Sequence, residues 1–102
     1  MWRKGFKNPA NYDDNGLWCG GQQYYAKVGK CGVCGDKYGV KPEPHAAPGG
    51  KYANGIIVKT YNEGEQIKLI VEMTKSHKGY MQFRLCVNND KKRDKDQSCF
   101  DQ

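Results

Sequence analysis

Hydrophobic and polar positions follow a clear pattern in only one part of this chain. Residues 56–61, Ile-Ile-Val-Lys-Thr-Tyr, are rich in β-branched and aromatic side chains and read as a strand. Asn62-Glu63-Gly64-Glu65 is a turn. Residues 66–74 then alternate, with Ile67, Leu69, Val71 and Met73 on one face and Lys68, Glu72 and Thr74 on the other. After a connection at 75–79, residues 80–87 alternate again, with Met81, Phe83, Leu85 and Val87 opposite Tyr80, Gln82, Arg84 and Cys86. Period-two alternation in consecutive segments predicts a three-stranded antiparallel meander with one apolar face. Such a face needs cover, either from the rest of the chain or from further strands.

Before residue 56 the pattern disappears. Residues 1–18 interleave Trp2, Phe6, Tyr12 and Trp18 with the turn formers Asn8-Pro9 and Asp13-Asp14-Asn15-Gly16. This predicts an irregular segment with one short helical turn. The aromatics there read as packing over a small core or as a sugar-stacking platform. Residues 22–28 read as a short strand. Residues 41–50, with Pro42, Pro44, Pro48, Gly49 and Gly50, must be loop, and His45 within them reads as solvated surface. Residues 88–102 are polar and charged, with Cys99-Phe100 near the end.

Composition narrows the class. A chain of 102 residues makes one domain or part of one. Its mean hydropathy of −0.92 and its 13 glycines and 4 prolines favour a loop-rich fold held by cross-links over one held by core area. The net charge of +6 suits an anionic partner. The one dense run, Lys91-Lys92-Arg93-Asp94-Lys95-Asp96, is mixed in sign and reads as solvated surface. No apolar run is long enough to span a membrane, and Met1-Trp2-Arg3-Lys4 does not open a signal peptide. The expected partners therefore include neither membrane nor nucleic acid. Five cysteines in so short a chain nevertheless point to an oxidising compartment.

The cysteines allow three readings. Cys31-Gly32-Val33-Cys34 has the spelling of a thioredoxin-like redox pair, but the Gly35-Asp36-Lys37-Tyr38-Gly39 that follows is a poor helix start, and such a pair needs a helix to lower its thiol pKa. Cys31, Cys34, Cys86 and Cys99 can be drawn as a four-thiolate zinc site, which would suit a nucleic-acid binder. The third reading is structural, and the expected pairing is Cys19–Cys31 and Cys34–Cys86 with Cys99 unpaired. His77, in Lys75-Ser76-His77-Lys78-Gly79-Tyr80, is displayed between two predicted strands, where it can bind a metal or titrate. No paired-carboxylate, Ser/His/Asp or phosphate-cradling pattern is present.

The order of motifs adds more. Trp2-Arg3, Phe6-x-x-Pro9, Asn11-Tyr12-x-Asp14-Asn15, Cys19-Gly20-Gly21, Lys30-Cys31-Gly32-Val33-Cys34-Gly35-Asp36, Gly49-Gly50-Lys51-Tyr52-Ala53-x-Gly55-Ile56-Ile57, His77-x-Gly79-Tyr80-x-x-Phe83-Arg84-Leu85-Cys86 and Cys99-Phe100-Asp101 occur in sequence. Together they resemble the animal and viral lytic polysaccharide monooxygenases of auxiliary-activity family fifteen, the chitin-binding type-4 domains. The resemblance spans nearly all of residues 1–102, taken as one domain truncated at both ends. It implies a mainly β, immunoglobulin- or fibronectin-like antiparallel sandwich with long disulfide-linked loops, secretion, and chitin or cellulose as partner. It also implies a single copper ion in a brace made by an N-terminal histidine and a second imidazole. His77 matches that second histidine. The first would lie upstream of Trp2-Arg3, so the resemblance implies a remnant copper ligand, weak metal binding and no oxidative activity in this chain. Residual carbohydrate binding is then expected near His77 through Tyr80, and through Trp18, Tyr24 or Tyr25. The alternative is a non-catalytic chitin-binding or structural module.

Overall fold

Glycines, not strands, set the course of the chain in the computed structural model, which describes residues 1–102. A 3₁₀ turn at Trp2–Lys4 ends at Gly5. Helix α1 spans Gln22–Val28 and helix α2 spans Gln97–Phe100. The remainder is turn and irregular backbone, apart from one isolated antiparallel bridge between Cys31 and Lys37.

Helix α1 corrects the short strand expected at residues 22–28. Gln, Ala and Lys have high helix propensity, and period-two spacing is missing from Gln-Gln-Tyr-Tyr-Ala-Lys-Val. The helix is bounded by glycines. Gly29 takes the left-handed conformation at φ 67°, and its N–H donates to Tyr25 O at 2.8 Å, the C-terminal closure glycine favours. Helix α2 starts on a side-chain cap, since Asp96 accepts from the Ser98 N–H at 3.1 Å.

Between the helices the cysteine loop folds back on itself. Cys19 is disulfide-bonded to Cys31 with Cα atoms 4.8 Å apart, so the expected pairing of these two residues is the one observed. Cys19 N–H donates to Gly35 O at 2.9 Å, and Gly32 N–H to Asp36 O at 2.9 Å. Gly35 is required here. Its φ is +89°, and a Cβ would lie 2.7 Å from Leu17 O, a distance no side chain tolerates.

The mainly β sandwich is not what the chain forms. Residues 56–87 contain no strand, and no hydrophobic side chain anywhere in the molecule is buried. The only buried residues are Gly21, Gly32 and Asp36. Alternation specifies which side of a strand is apolar, but a sheet also needs paired backbones and something to cover that side. The glycine- and proline-rich half supplies no such cover, because its own backbone is used in tight turns. The 25 backbone–backbone hydrogen bonds fall far below the roughly 70 usual for a packed domain of this size. The radius of gyration, 14.9 Å, likewise exceeds the about 13 Å of a compact 100-residue domain.

Two links hold the C-terminal segment. Ala47 N–H donates to the Asp94 carboxylate at 2.6 Å, while Asp94 N–H donates to Ala47 O at 3.0 Å. Arg84 donates to Phe100 O at 3.1 Å and to Asp101 Oδ1 at 2.9 Å. The second link folds the α2 turn back beside Cys86, which pairs with Cys99 at a Cα separation of 5.7 Å. This corrects the expected Cys34–Cys86 bridge: Cys99 is not the orphan, and Cys34 is the free thiol. None of the helices is long and apolar enough to cross a membrane.

Candidate functional site

The most organised group of polar side chains is centred on Asp36, at the end of the cysteine loop. One carboxylate oxygen accepts from the His45 backbone N–H at 2.7 Å. The other meets His45 Nδ1 at 2.6 Å. On the far side of the ring, Asn11 Nδ2 lies 3.1 Å from His45 Nε2. The amide orientation of Asn11 is set by its own oxygen, which accepts from Asp13 N–H at 2.8 Å. The network is satisfied when Asn11 donates to Nε2 and Nδ1–H donates to Asp36, which makes the imidazole a neutral Nδ1–H tautomer. The Tyr52 ring stacks on His45 with centroids 4.5 Å apart and an angle of 18° between planes.

His45 is therefore not solvated surface, as its proline-rich loop suggests. It clamps the segment after Pro44 to the cysteine loop. The arrangement resembles half of a catalytic relay, but Nε2 faces an amide and not a nucleophile, so it has no proton to take. Sequence alone gave little access to the cluster. Asp36 is a single acid after Cys34-Gly35, and Asn11, His45 and Tyr52 come from separate segments that only turn geometry brings together.

Beside the cluster runs an open groove of about 370 Å³, lined by Asn11, Asp13, Lys37, Val40, His45 and Tyr52 among others. The same half of the sequence carries several further aromatic rings. Trp18 and Tyr25 are exposed. Tyr24 donates its hydroxyl to Tyr38 O at 2.8 Å, and the Lys37 ammonium sits 4.2 Å from its ring centroid. At the N-terminus Trp2 and Tyr12 meet edge to face at 4.8 Å, with the Arg3 guanidinium 4.6 Å from the Trp2 ring.

His77 stands apart from all of this. It is exposed, in irregular backbone where Lys78 and Gly79 both have positive φ. Tyr80 beside it is 93% exposed. The residues do not fit the copper brace that the family resemblance implies. No three His, Cys, Asp or Glu side chains come together as a metal-binding group, and the other imidazole, His45, has both ring nitrogens engaged. The four-thiolate zinc reading also fails, since Cys31, Cys86 and Cys99 are in disulfides.

Cys34 is the one thiol left. The residue is exposed, yet partial burial of its sulfur pushes the thiol pKa up, and the Asp94, Asp36 and Glu43 carboxylates add to the rise. A redox nucleophile needs the opposite environment, and Cys31 is bonded to Cys19, not paired with Cys34.

Comparison of the chain with protein-family models, curated proteins and solved structures finds no match.

Proposed function

We propose that this chain is a short form or piece of a lytic-polysaccharide-monooxygenase-type domain that binds chitin or cellulose and does not oxidise it. The proposal rests on the ordered motif resemblance along residues 1–102 and on one structural observation: exposed aromatic rings, Trp18 and Tyr25, on the half of the chain that also carries the polar groove at Asn11, Lys37 and His45. Flat rings stack on the apolar faces of pyranose units, and neighbouring amide, imidazole and ammonium groups hydrogen-bond the hydroxyls. Tyr80 is the corresponding candidate beside His77. The imidazole count within residues 1–102 supports the non-oxidative reading. A two-histidine brace needs two free imidazoles, and His45 is committed to Asp36 and Asn11. One imidazole at His77 leaves copper weakly held and poorly placed for oxygen chemistry.

The test is retention on insoluble chitin and cellulose. Wild type should sediment with at least one of them. Trp18→Ala, Tyr25→Ala and Tyr80→Ala identify the contacting ring by loss of retention. Equal retention of the wild type and all three variants contradicts the aromatic assignment, and absence of retention for the wild type contradicts the proposal.

A further inference from the structure

The residues around Ile70 carry an unspent pattern. From 65 to 75 the sequence reads Glu-Gln-Ile-Lys-Leu-Ile-Val-Glu-Met-Thr-Lys. About Ile70 the charges are antisymmetric: Glu65 mirrors Lys75 and Lys68 mirrors Glu72. The apolar positions mirror each other as well, with Ile67 against Met73 and Leu69 against Val71. A segment with this symmetry is complementary to itself when run antiparallel.

The backbone is free to use it. Residues 66–74 make no hydrogen bond through backbone or side chain, and Ile70 and Leu69 are 79% and 59% exposed. Unpaired N–H and C=O groups on an apolar, β-prone segment are a template for strand pairing. The chain's own neighbouring segment is a poor partner. Arg84 is held by Phe100 O and Asp101, and Cys86 is tied to Cys99, so residues 84–86 are committed to the α2 turn. Folding 80–87 back across the 75–79 connection would also set Ile70 opposite Arg84 and Lys68 opposite Cys86, leaving both charges of the segment unmatched.

We propose that residues 65–75 pair antiparallel with the same residues of a second copy of this chain, on a two-fold axis through Ile70. In this register Lys68 faces Glu72 of the second copy and Ile70 faces its equivalent on one side of the ribbon. On the other side, Leu69 faces Val71 and Ile67 faces Met73, and Glu65 and Lys75 close the two ends. Each off-axis pair occurs twice, as an isologous interface requires, and directly opposed opposite charges and aliphatic pairs are the units that stabilise such ribbons. The two-stranded ribbon is weak by itself, so the association is concentration-dependent.

Sedimentation velocity over a concentration series tests it, in a Cys34→Ser background that removes thiol-linked dimers. The parent should show a monomer–dimer equilibrium. Lys68→Glu converts two attractive pairs per dimer into two repulsive ones and should weaken dimerisation about ten-fold. Lys68→Glu with Glu72→Lys restores both pairs and should recover the parent affinity. Lys68 and Glu72 make no hydrogen bond or ion pair within the chain that these changes would break, and unchanged disulfide mapping checks that the rest of the chain is intact. A parent that stays monomeric, as an intramolecular hairpin would make it, overturns the proposal. So does association that is insensitive to Lys68→Glu, or that the double exchange fails to restore.

Discussion

The two oxygens of the Asp36 carboxylate are both spent on His45, one on ring Nδ1 at 2.6 Å and one on the backbone N–H at 2.7 Å. Asp36 is also the only buried residue with a charged side chain. Because no apolar core exists, this pair is what joins the cysteine loop, itself closed by the Cys19–Cys31 bridge, to the proline-rich loop. Asp36→Ala should therefore loosen the backbone around His45, while Ala47 stays tied to Asp94. Leaving a buried donor unpaired costs about 1–3 kcal/mol, so exchange of the His45 amide hydrogen should accelerate about ten-fold or more. Unchanged exchange would show that the loop is held by other means.

The disulfide pattern predicts a definite peptide map. The oxidised protein should weigh four hydrogens less than the fully reduced one. Proteolysis should yield linked peptides for Cys19–Cys31 and Cys86–Cys99, with Cys34 alone alkylated. Each bridge closes a short loop and contributes about 3 kcal/mol in the chain-entropy picture. Recovery of a Cys34–Cys86 peptide would contradict the arrangement.

Cys34 should react slowly. Burial, then Asp94, Asp36 and Glu43, raise its thiol pKa, so alkylation near pH 8 should be slower than for an unstructured cysteine peptide. The raised value means the folded chain binds this proton more tightly than the unfolded chain. Its contribution to stability is present below the ordinary thiol range and is lost as pH rises through the raised pKa. Asp94→Asn removes one of the causes and should speed alkylation. A rate equal to the peptide's would contradict the environment described.

Helix α2 should fray in acid. The Ser98 side chain, hydrogen-bonded to Asp96, is the largest cause of a lowered Asp96 pKa, and the backbone N–H groups of Ser98 and Cys99 and the charge of Arg93 act in the same direction. The sign is that of a capped carboxylate: the stabilisation is present above the ordinary aspartate range and disappears as pH falls through the lowered value. Carboxyl chemical shifts followed by NMR should show Asp96 titrating below an aspartate in an unstructured peptide. Asp96→Ala should disorder the α2 turn at neutral pH.

Some of this was legible in the sequence and some was not. The glycine and proline density gave the loop character of residues 41–50, and cysteine usage gave a cross-linked chain with Cys19 joined to Cys31. The alternation at 66–74 and 80–87 predicted a meander that the chain does not form, because a period of two says nothing about whether a partner is present, and here those side chains remain exposed. The second bridge was missed because the return of the α2 turn to Cys86 depends on Arg84 reaching Phe100 and Asp101. The Asp36–His45–Asn11 cluster was missed for a related reason: its members lie 9 and 34 residues apart along the chain, and no local spacing encodes their meeting.

The most direct test of polysaccharide binding without oxidation is one incubation with insoluble chitin, and a parallel one with cellulose, in the presence of copper, ascorbate and oxygen. Bound protein and released sugars are measured in the same tube. The account predicts protein retained on the polysaccharide and no oxidised chain ends in the mass spectrum. Oxidised oligosaccharides, or protein that stays wholly in solution with both polymers, would contradict it.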